Sequence, residues 1–348
     1  MNISFNTTSK LSISAMVPST PILLLLILVA CWCGAATAEE EEETCDLDTG
    51  ECQRGGSGKD ASITKDYDKK ASHYDKLWGR DNLHIGYYPH LDTSGNTIMD
   101  KNISILSPSQ SAAALTERMI QLANIRPTDR VLDLGSGKGL ACKVIAETTG
   151  ASCTGLDLTT ANVERSKSIA RDHPNLKLSY FEGSFTKFPE EVLEDGPYDV
   201  IFSQIAFCHA HNALPVILQQ VLRALKDETG RFVVNDYLGG DKEPGPDTYE
   251  HIYKRLKFSK LHGHWSWRNI ADGIFDGGAR LELMVYENLN AHMLHFYQEL
   301  MKDAAAHNEF ESGDGSILTT NYNETAKAIT KNEIGMNLAL YTKKMLGK

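Results

Sequence analysis

The run DRVLDLGSGKG, Asp129 to Gly139, constrains this chain most: a short apolar segment breaks into three alternate glycines, and a helical stretch, LACKVIAETT, follows and stops at Gly150. Such a segment reads as a buried strand, and glycines so spaced let the backbone turn tightly into a helix. The pattern repeats along the chain. ASCTGLDL is a second strand, and Thr159 to Asp172 a second helix with threonine at its cap. LKLSYFEGSF and YDVIFSQIAF give two more strands, ALPVILQQVLRALK an amphipathic helix, and GRFVVNDYL a fifth strand. RLELMVYENL reads as a sixth strand and MNLALYTKK as an alternating seventh. Alternation of this kind predicts an α/β fold, Rossmann-like and doubly wound, with a mainly parallel seven-stranded sheet covered on both faces. Helical insertions at 240–265 and 288–330 are expected to form a lid. Sheets of this type bind ligands at the carboxyl ends of their strands.

Composition narrows the ligand. The formal net charge is -11 and the pI about 5.6, which argues against generic attraction to nucleic acid or an anionic membrane. A small-molecule partner is expected. Ahead of the fold, Lys10 leads into ILLLLILVACW, then GAATA and the run Glu39 to Glu43. Residues 1–38 read as a signal peptide cut after Ala38, which implies a secretory or lumenal location, or a plastid reached through that route. An uncleaved anchor is the second reading. Residues 39–60 form an acidic, flexible tether, and 61–348 the folded domain, with 61–109 as an N-terminal cap segment. Five of the seven cysteines follow Ala38. Cys45 and Cys52 either close a small loop in an oxidising lumen or stay as two thiols. Sequons at Asn102 and Asn323 fit lumenal exposure.

Polar residues collect at the strand ends. The first strand ends in Asp133 and the turn Gly135-Ser136-Gly137-Lys138-Gly139, the second in Asp157. A dinucleotide fingerprint would place glycine or alanine at position 140, where this chain has leucine. An acid two residues before the first glycine suits an ammonium group better than a pyrophosphate, and Asp157 stands where ribose hydroxyls are gripped. Each acid taken alone is equally a helix cap or a turn residue.

With these residues the chain resembles the class I S-adenosylmethionine-dependent methyltransferases over about Asp66 to Lys344. The resemblance implies that Asp133, Gly135, Ser136, Gly137 and Gly139 cradle the methionine portion of S-adenosyl-L-methionine and that Asp157 holds its ribose. Leu158, Gly183, Ser184 and Phe185 would surround the adenine, and Ser203 and Gln204 would lie beneath the methyl. It also implies an antiparallel edge formed by the last strand. YDKLWGRDNLHIGYY, EGSFTKFP and YDVIFSQIAFCHA are similar to sarcosine/dimethylglycine N-methyltransferases, and the first of them also to tocopherol and sterol methyltransferases. Two departures bear on the acceptor. Gly79, Arg80, Asp81 and Asn82 stand where betaine-type relatives carry a Gly-Gly-Glu-Asp run, and Ile205 stands where they carry an acid.

The expected activity is therefore methyl transfer to a small amine such as sarcosine or dimethylglycine. The alternatives are C- or O-methylation of a prenylated phenol or other lipid, and cofactor binding without catalysis. His209, Gln204 and Tyr88 are the catalytic candidates. Trp78, His84, Tyr87, Tyr88, Asp236, Tyr237 and Arg255 are candidates for holding the acceptor, with Lys257 beside Arg255 and with Trp265 and Trp267 as further aromatic candidates. His211 is expected to face solvent, and no metal is expected, because the histidine pairs lack accompanying ligands.

Overall fold

The computed structural model describes residues 84–92, 95–96, 106–306 and 314–347, together with the backbone of Thr44–Cys45 and Cys52–Gln53. The leader 1–38, most of the tether, Trp78 and Asn102 lie outside the described residues. Among the described residues no helix is long and apolar enough to cross a membrane.

Apolar runs became central strands. β1 (Arg130–Leu134) is buried from Val131 onward and takes a parallel neighbour on each side, β2 (Ser152–Asp157) and β4 (Val200–Gln204). β3 (Leu178–Glu182) extends the sheet beyond β2, and β5 (Arg231–Gly239) extends it beyond β4. The chain therefore builds outward from β1 in one direction, then returns and builds in the other. The crevice at the carboxyl ends of β1 and β4 is the switch point where such sheets take ligands.

The two faces are covered by helices. α1 (Pro108–Leu122), α2 (Leu140–Thr149) and α3 (Thr160–Asp172) contribute Leu115, Met119, Ile145 and Val163 to one apolar core. The amphipathic α5 (Leu214–Ala224) buries Leu214, Ile217, Leu218 and Val221 in the other, beside Phe232, Tyr341 and Trp267 of α6 (His264–Asp272). A short α4 (Glu190–Asp195) lies between β3 and β4. Local signals explain the ends. Ser107 and Gln110 form a reciprocal capping box on α1, with Pro108 at its first turn, and Gly150 ends α2 with φ +77°.

The antiparallel side differs from the sequence expectation in one respect. β7 (Ile334–Met345) is antiparallel, but it lies between β5 and β6 (Ala279–Asn288) and pairs with both. Its nearly continuous burial from Ile334 to Ala339 is what two partners and two covered faces require, whereas the alternation in MNLALYTKK suggested an edge. The edge is a two-residue strand, Phe275–Asp276, so the described sheet has eight strands rather than seven. α7 (Asn290–Ala306) and α8 (Asp314–Thr330) fill the second insertion, and a helical stretch from Pro246 to Lys254 lies in the first.

Two features bear on the cysteines. Thr44–Cys45 and Cys52–Gln53 form a small antiparallel pair in which Cys45 stands opposite Cys52. Cys142 of α2 and Cys153 of β2 form a disulfide with Cα atoms 5.3 Å apart, leaving Cys208 as a buried thiol. Sequence spacing gave no hint of the second pairing, because it depends on α2 packing back over the adjacent strand. Closing a loop of this length stabilises a fold by about 3 kcal/mol. Reduction, or replacement of both cysteines by alanine, is therefore expected to lower the denaturant midpoint, and alkylation before and after reduction should expose the pair only in the reduced chain.

Candidate active site

The site begins where β1 ends. Gly135, Gly137 and Gly139 all have positive φ, and the N–H groups of Gly135 and Ser136 both donate to the Leu156 carbonyl, which ties the turn to β2. Below the turn, Tyr180 donates its hydroxyl to Gly139 O at 2.9 Å and Ser166 donates to Gly137 O at 3.0 Å. The turn is thus braced from two elements that local sequence reading does not single out.

Two acids meet at this turn. Asp157 accepts from Gly137 N at 2.8 Å through one oxygen, and from Thr159 N at 2.9 Å and Asn162 Nδ2 at 3.1 Å through the other. Thr159 occupies the cap position of α3, but its side chain makes no cap bond; the Asp157 carboxylate receives the first N–H instead. Asp133 is different. It is buried, its Oδ2 has no hydrogen-bond partner, and desolvation, with the Asp157 charge second, raises it to about 7. A buried carboxylate without a partner costs several kcal/mol unless a cation or donor meets it. Leu158, the next residue after Asp157, is 39% exposed although it is apolar. Across the opening, Phe185 rests edge-on against Phe207 with centroids 5.2 Å apart, Gly183 packs against Pro189, and Ser184 shares a 2.7 Å hydrogen bond with Thr186. A ligand seated here would meet a carboxylate in need of a cation, a second carboxylate able to accept from hydroxyls, and an apolar slot. That combination fits a sulfonium nucleoside carrying an ammonium group.

The second half of the site lies at the ends of β4 and β5. Ser203 is buried and donates to Leu134 O at 3.0 Å, which joins β4 to the glycine turn. Gln204 contacts both Thr116 of α1, at 3.2 Å, and His84 of the cap segment, at 3.2 Å. Ile205 then turns the chain with φ +52°. The loop after it is held by Asp236, which accepts from Phe207 N and Tyr237 N, each at 2.7 Å. Both Asp236 oxygens are therefore engaged with the backbone, so this residue shapes the wall instead of offering a free carboxylate to a ligand.

Around the wall stands an aromatic group that is buried except for the partly buried Phe258. Tyr237 and Tyr297 share a hydroxyl hydrogen bond of 2.7 Å, Phe258 packs 4.8 Å from Tyr237, and Tyr253 and Tyr322 complete the set. Phe258, Tyr253 and Tyr322 were not foreseen, since aromatic residues in the insertions read equally as core. His209 lies against Phe258, with Nδ1 3.4 Å from the Lys257 carbonyl. A carbonyl only accepts, so Nδ1 carries the proton and Nε2 is left bare. Burial lowers the pKa of His209, keeping the ring neutral. Arg255 donates Nε–H to His251 O at 2.7 Å, while its buried Nη2 has no hydrogen-bond partner. Its charge acts on the Tyr237 hydroxyl, which puts the guanidinium close to the aromatic group.

From the cap segment, Tyr87 stacks on His292 at 4.6 Å and the buried Tyr88 meets His295 edge-on at 4.4 Å, so both dock this segment onto α7. Three expectations are corrected. His211 is fully buried, accepting from His262 N at 2.9 Å, because its loop folds under Trp267. Trp267 is core, donating to the Tyr341 hydroxyl, and Trp265 is 78% exposed on the outer face of α6; neither reaches the aromatic group. Among the described residues, no three His, Cys, Asp or Glu side chains gather to hold a metal.

Residues 125–278 match a family model described as a methyltransferase domain. The chain is 28% identical over 197 residues to a glycine/sarcosine/dimethylglycine N-methyltransferase of Actinopolyspora halophila, covering 54% of this chain but only 30% of that one. It is 25% identical over 235 residues to a sarcosine/dimethylglycine N-methyltransferase of Aphanothece halophytica, covering 67% of this chain and 76% of the relative. In fold it is similar to a candidate sarcosine dimethylglycine methyltransferase of Galdieria sulphuraria, with a TM-score of 0.62 at 17% identity over 78% of this chain and 97% of the other.

Proposed function

The chain belongs to the class I S-adenosylmethionine-dependent methyltransferases, and on that premise we propose that it methylates the amine of a small glycine derivative such as sarcosine or dimethylglycine. The observation that carries the cofactor half is the buried Asp133 carboxylate with an unpartnered oxygen at the end of β1. It would take the cofactor's ammonium group, Asp157 its ribose hydroxyls, and Leu158 and Phe185 the faces of its adenine. When bound, the cofactor supplies a methyl already activated on a positive sulfonium, so the protein's part is to hold a neutral amine about 3 to 3.5 Å away and in line. The bare Nε2 of His209 can take the proton of an arriving ammonium. A product amine that gains charge is stabilised over the faces of Tyr237, Phe258 and Tyr297, by about 0.5 to 2 kcal/mol per good contact. The unpartnered Nη2 of Arg255 favours an acceptor with a carboxylate over an apolar phenol, since a buried guanidinium edge gains most from an anion.

An acceptor screen with labelled cofactor tests this reading. Sarcosine and dimethylglycine should be labelled in preference to phosphoethanolamine and tocopherol-like phenols. Arg255→Gln should lower kcat/KM for them by about a hundredfold, the cost of about 3 kcal/mol for losing a buried charged hydrogen bond, with cofactor affinity unchanged. Labelling of phenols alone would overturn the amine assignment. The Cys142–Cys153 bond supports a lumenal, oxidising location for the folded chain.

A further inference from the structure

Three side chains from distant parts of the chain close a ring at the carboxyl end of β4. Gln204 Nε2 lies 3.2 Å from His84 Nδ1, Thr116 Oγ1 lies 3.2 Å from Gln204 Oε1, and the same hydroxyl lies 3.4 Å from His84 Nε2. With the Gln204 amide oriented as it stands, donor and acceptor rules allow one assignment that satisfies all three contacts. The amide oxygen can only accept, so the threonine hydroxyl donates to it. The amide nitrogen can only donate, so His84 Nδ1 must be bare and Nε2 must carry the proton, which it gives to the threonine oxygen. Each member then donates once and accepts once, in one direction around the ring, an arrangement in which hydrogen bonds polarise and strengthen one another. Burial also holds His84 near a pKa of about 4, so the ring stays neutral.

An alternative partner is present. His84 Nδ1 is 3.2 Å from the carbonyl of Ile85, and the other tautomer would donate there. The hydroxyl of Thr116 favours the first, because its one proton goes to Gln204 Oε1 and leaves its oxygen to accept from Nε2–H; without it Nε2–H loses its acceptor and the amide of Gln204 can turn over. We propose that Thr116 is a positioning residue, whose hydroxyl fixes both the His84 tautomer and the direction of the Gln204 amide, so that Gln204 keeps one free N–H and one free lone pair at the mouth of the methyl-transfer site. The catalytic consequence rests on the methyltransferase reading above; the ring itself does not. It also fastens the cap segment, through His84, to the strand that ends beneath the transferred methyl.

The test uses the full chain with nitrogen-15-labelled histidine, comparing Thr116→Val, which keeps shape without the hydroxyl, with Thr116→Ser, which restores it. Wild-type His84 should show protonated Nε2 and bare Nδ1; a protonated Nδ1 in the wild type overturns the proposal by itself. Thr116→Val should move the proton to Nδ1 and lower kcat about tenfold with KM changed less than twofold, the scale of one lost hydrogen bond acting in the transition state. Thr116→Ser should return both readings towards wild type. An unchanged tautomer in the valine variant, or a kcat loss that serine does not rescue at equal melting temperature, would also overturn it. A wild-type chain that binds no S-adenosylmethionine would instead refute the methyltransferase reading, while the nitrogen spectra would still judge the ring.

Discussion

Asp133→Asn is expected to weaken S-adenosylmethionine binding by about a hundredfold or more, the consequence of removing one partner from a buried charge pair worth about 3 kcal/mol. Calorimetry across pH gives the same interaction a second signature. Burial first, and the neighbouring Asp157 second, raise Asp133 to about 7 in the free chain. A cationic ligand selects the ionised carboxylate, so affinity should climb as pH rises towards 7, by up to about tenfold per unit, and level off above it. The asparagine variant should show a flat profile over the same window. Stability of the free chain runs the other way: an acid held above its ordinary range keeps its proton in the folded state while the unfolded state ionises, so stability falls as pH rises from about 4 to 7. Asp236, also raised to about 7 by burial, adds a fall of the same shape, and only the part contributed by Asp133 should vanish in Asp133→Asn. Unaltered affinity in that variant would remove Asp133 from the cofactor site.

The glycine-turn half of this site was more legible in the sequence than the aromatic half, and the difference is physical. Asp133, the glycine turn and Asp157 are close in sequence on consecutive strand ends, so their meeting follows from two parallel strands of adjacent register. Their bracing by Tyr180, Ser166 and Asn162 depends on how the next strand and helix pack, yet it stays within the same local unit. The aromatic wall has no such unit. Tyr237 and Tyr297 meet across a separation of 60 residues, and Thr116 and Gln204 across 88. Trp267 and Trp265, two positions apart on one helix, face opposite ways, and only the packing of α6 on the sheet decides which is core. His211 follows the same logic: a polar ring in a loop normally faces water, but here the loop is covered, Nδ1 accepts from the backbone N–H of His262, and Nε2 is buried without a hydrogen-bond partner.

The glycine turn offers a comparison in which fold and ligand binding separate. A Cβ on Gly135 would lie 2.3 Å from the Ala206 Cβ, and the residue has φ +74°, so alanine there meets both a steric wall and an unfavourable backbone region. Gly135→Ala should cost about 3 kcal/mol or more and lower the melting temperature by several degrees, because β1 and the loop after β4 must move apart. Gly137 also has positive φ, +52°, but a Cβ there meets nothing within 4 Å. Its cost to the free chain should therefore be about 1 kcal/mol, the backbone term alone. The space that Cβ would enter borders the Gly137 N–H and Asp157, where the ligand is proposed to approach. Gly137→Ala should accordingly stay folded at 25 °C and yet lose at least about tenfold in S-adenosylmethionine affinity, measured by calorimetry beside a melting curve. If Gly137→Ala instead binds as tightly as the wild type, the cofactor does not pass over this turn. Asp157 would then belong to the helix cap that its backbone contacts already describe.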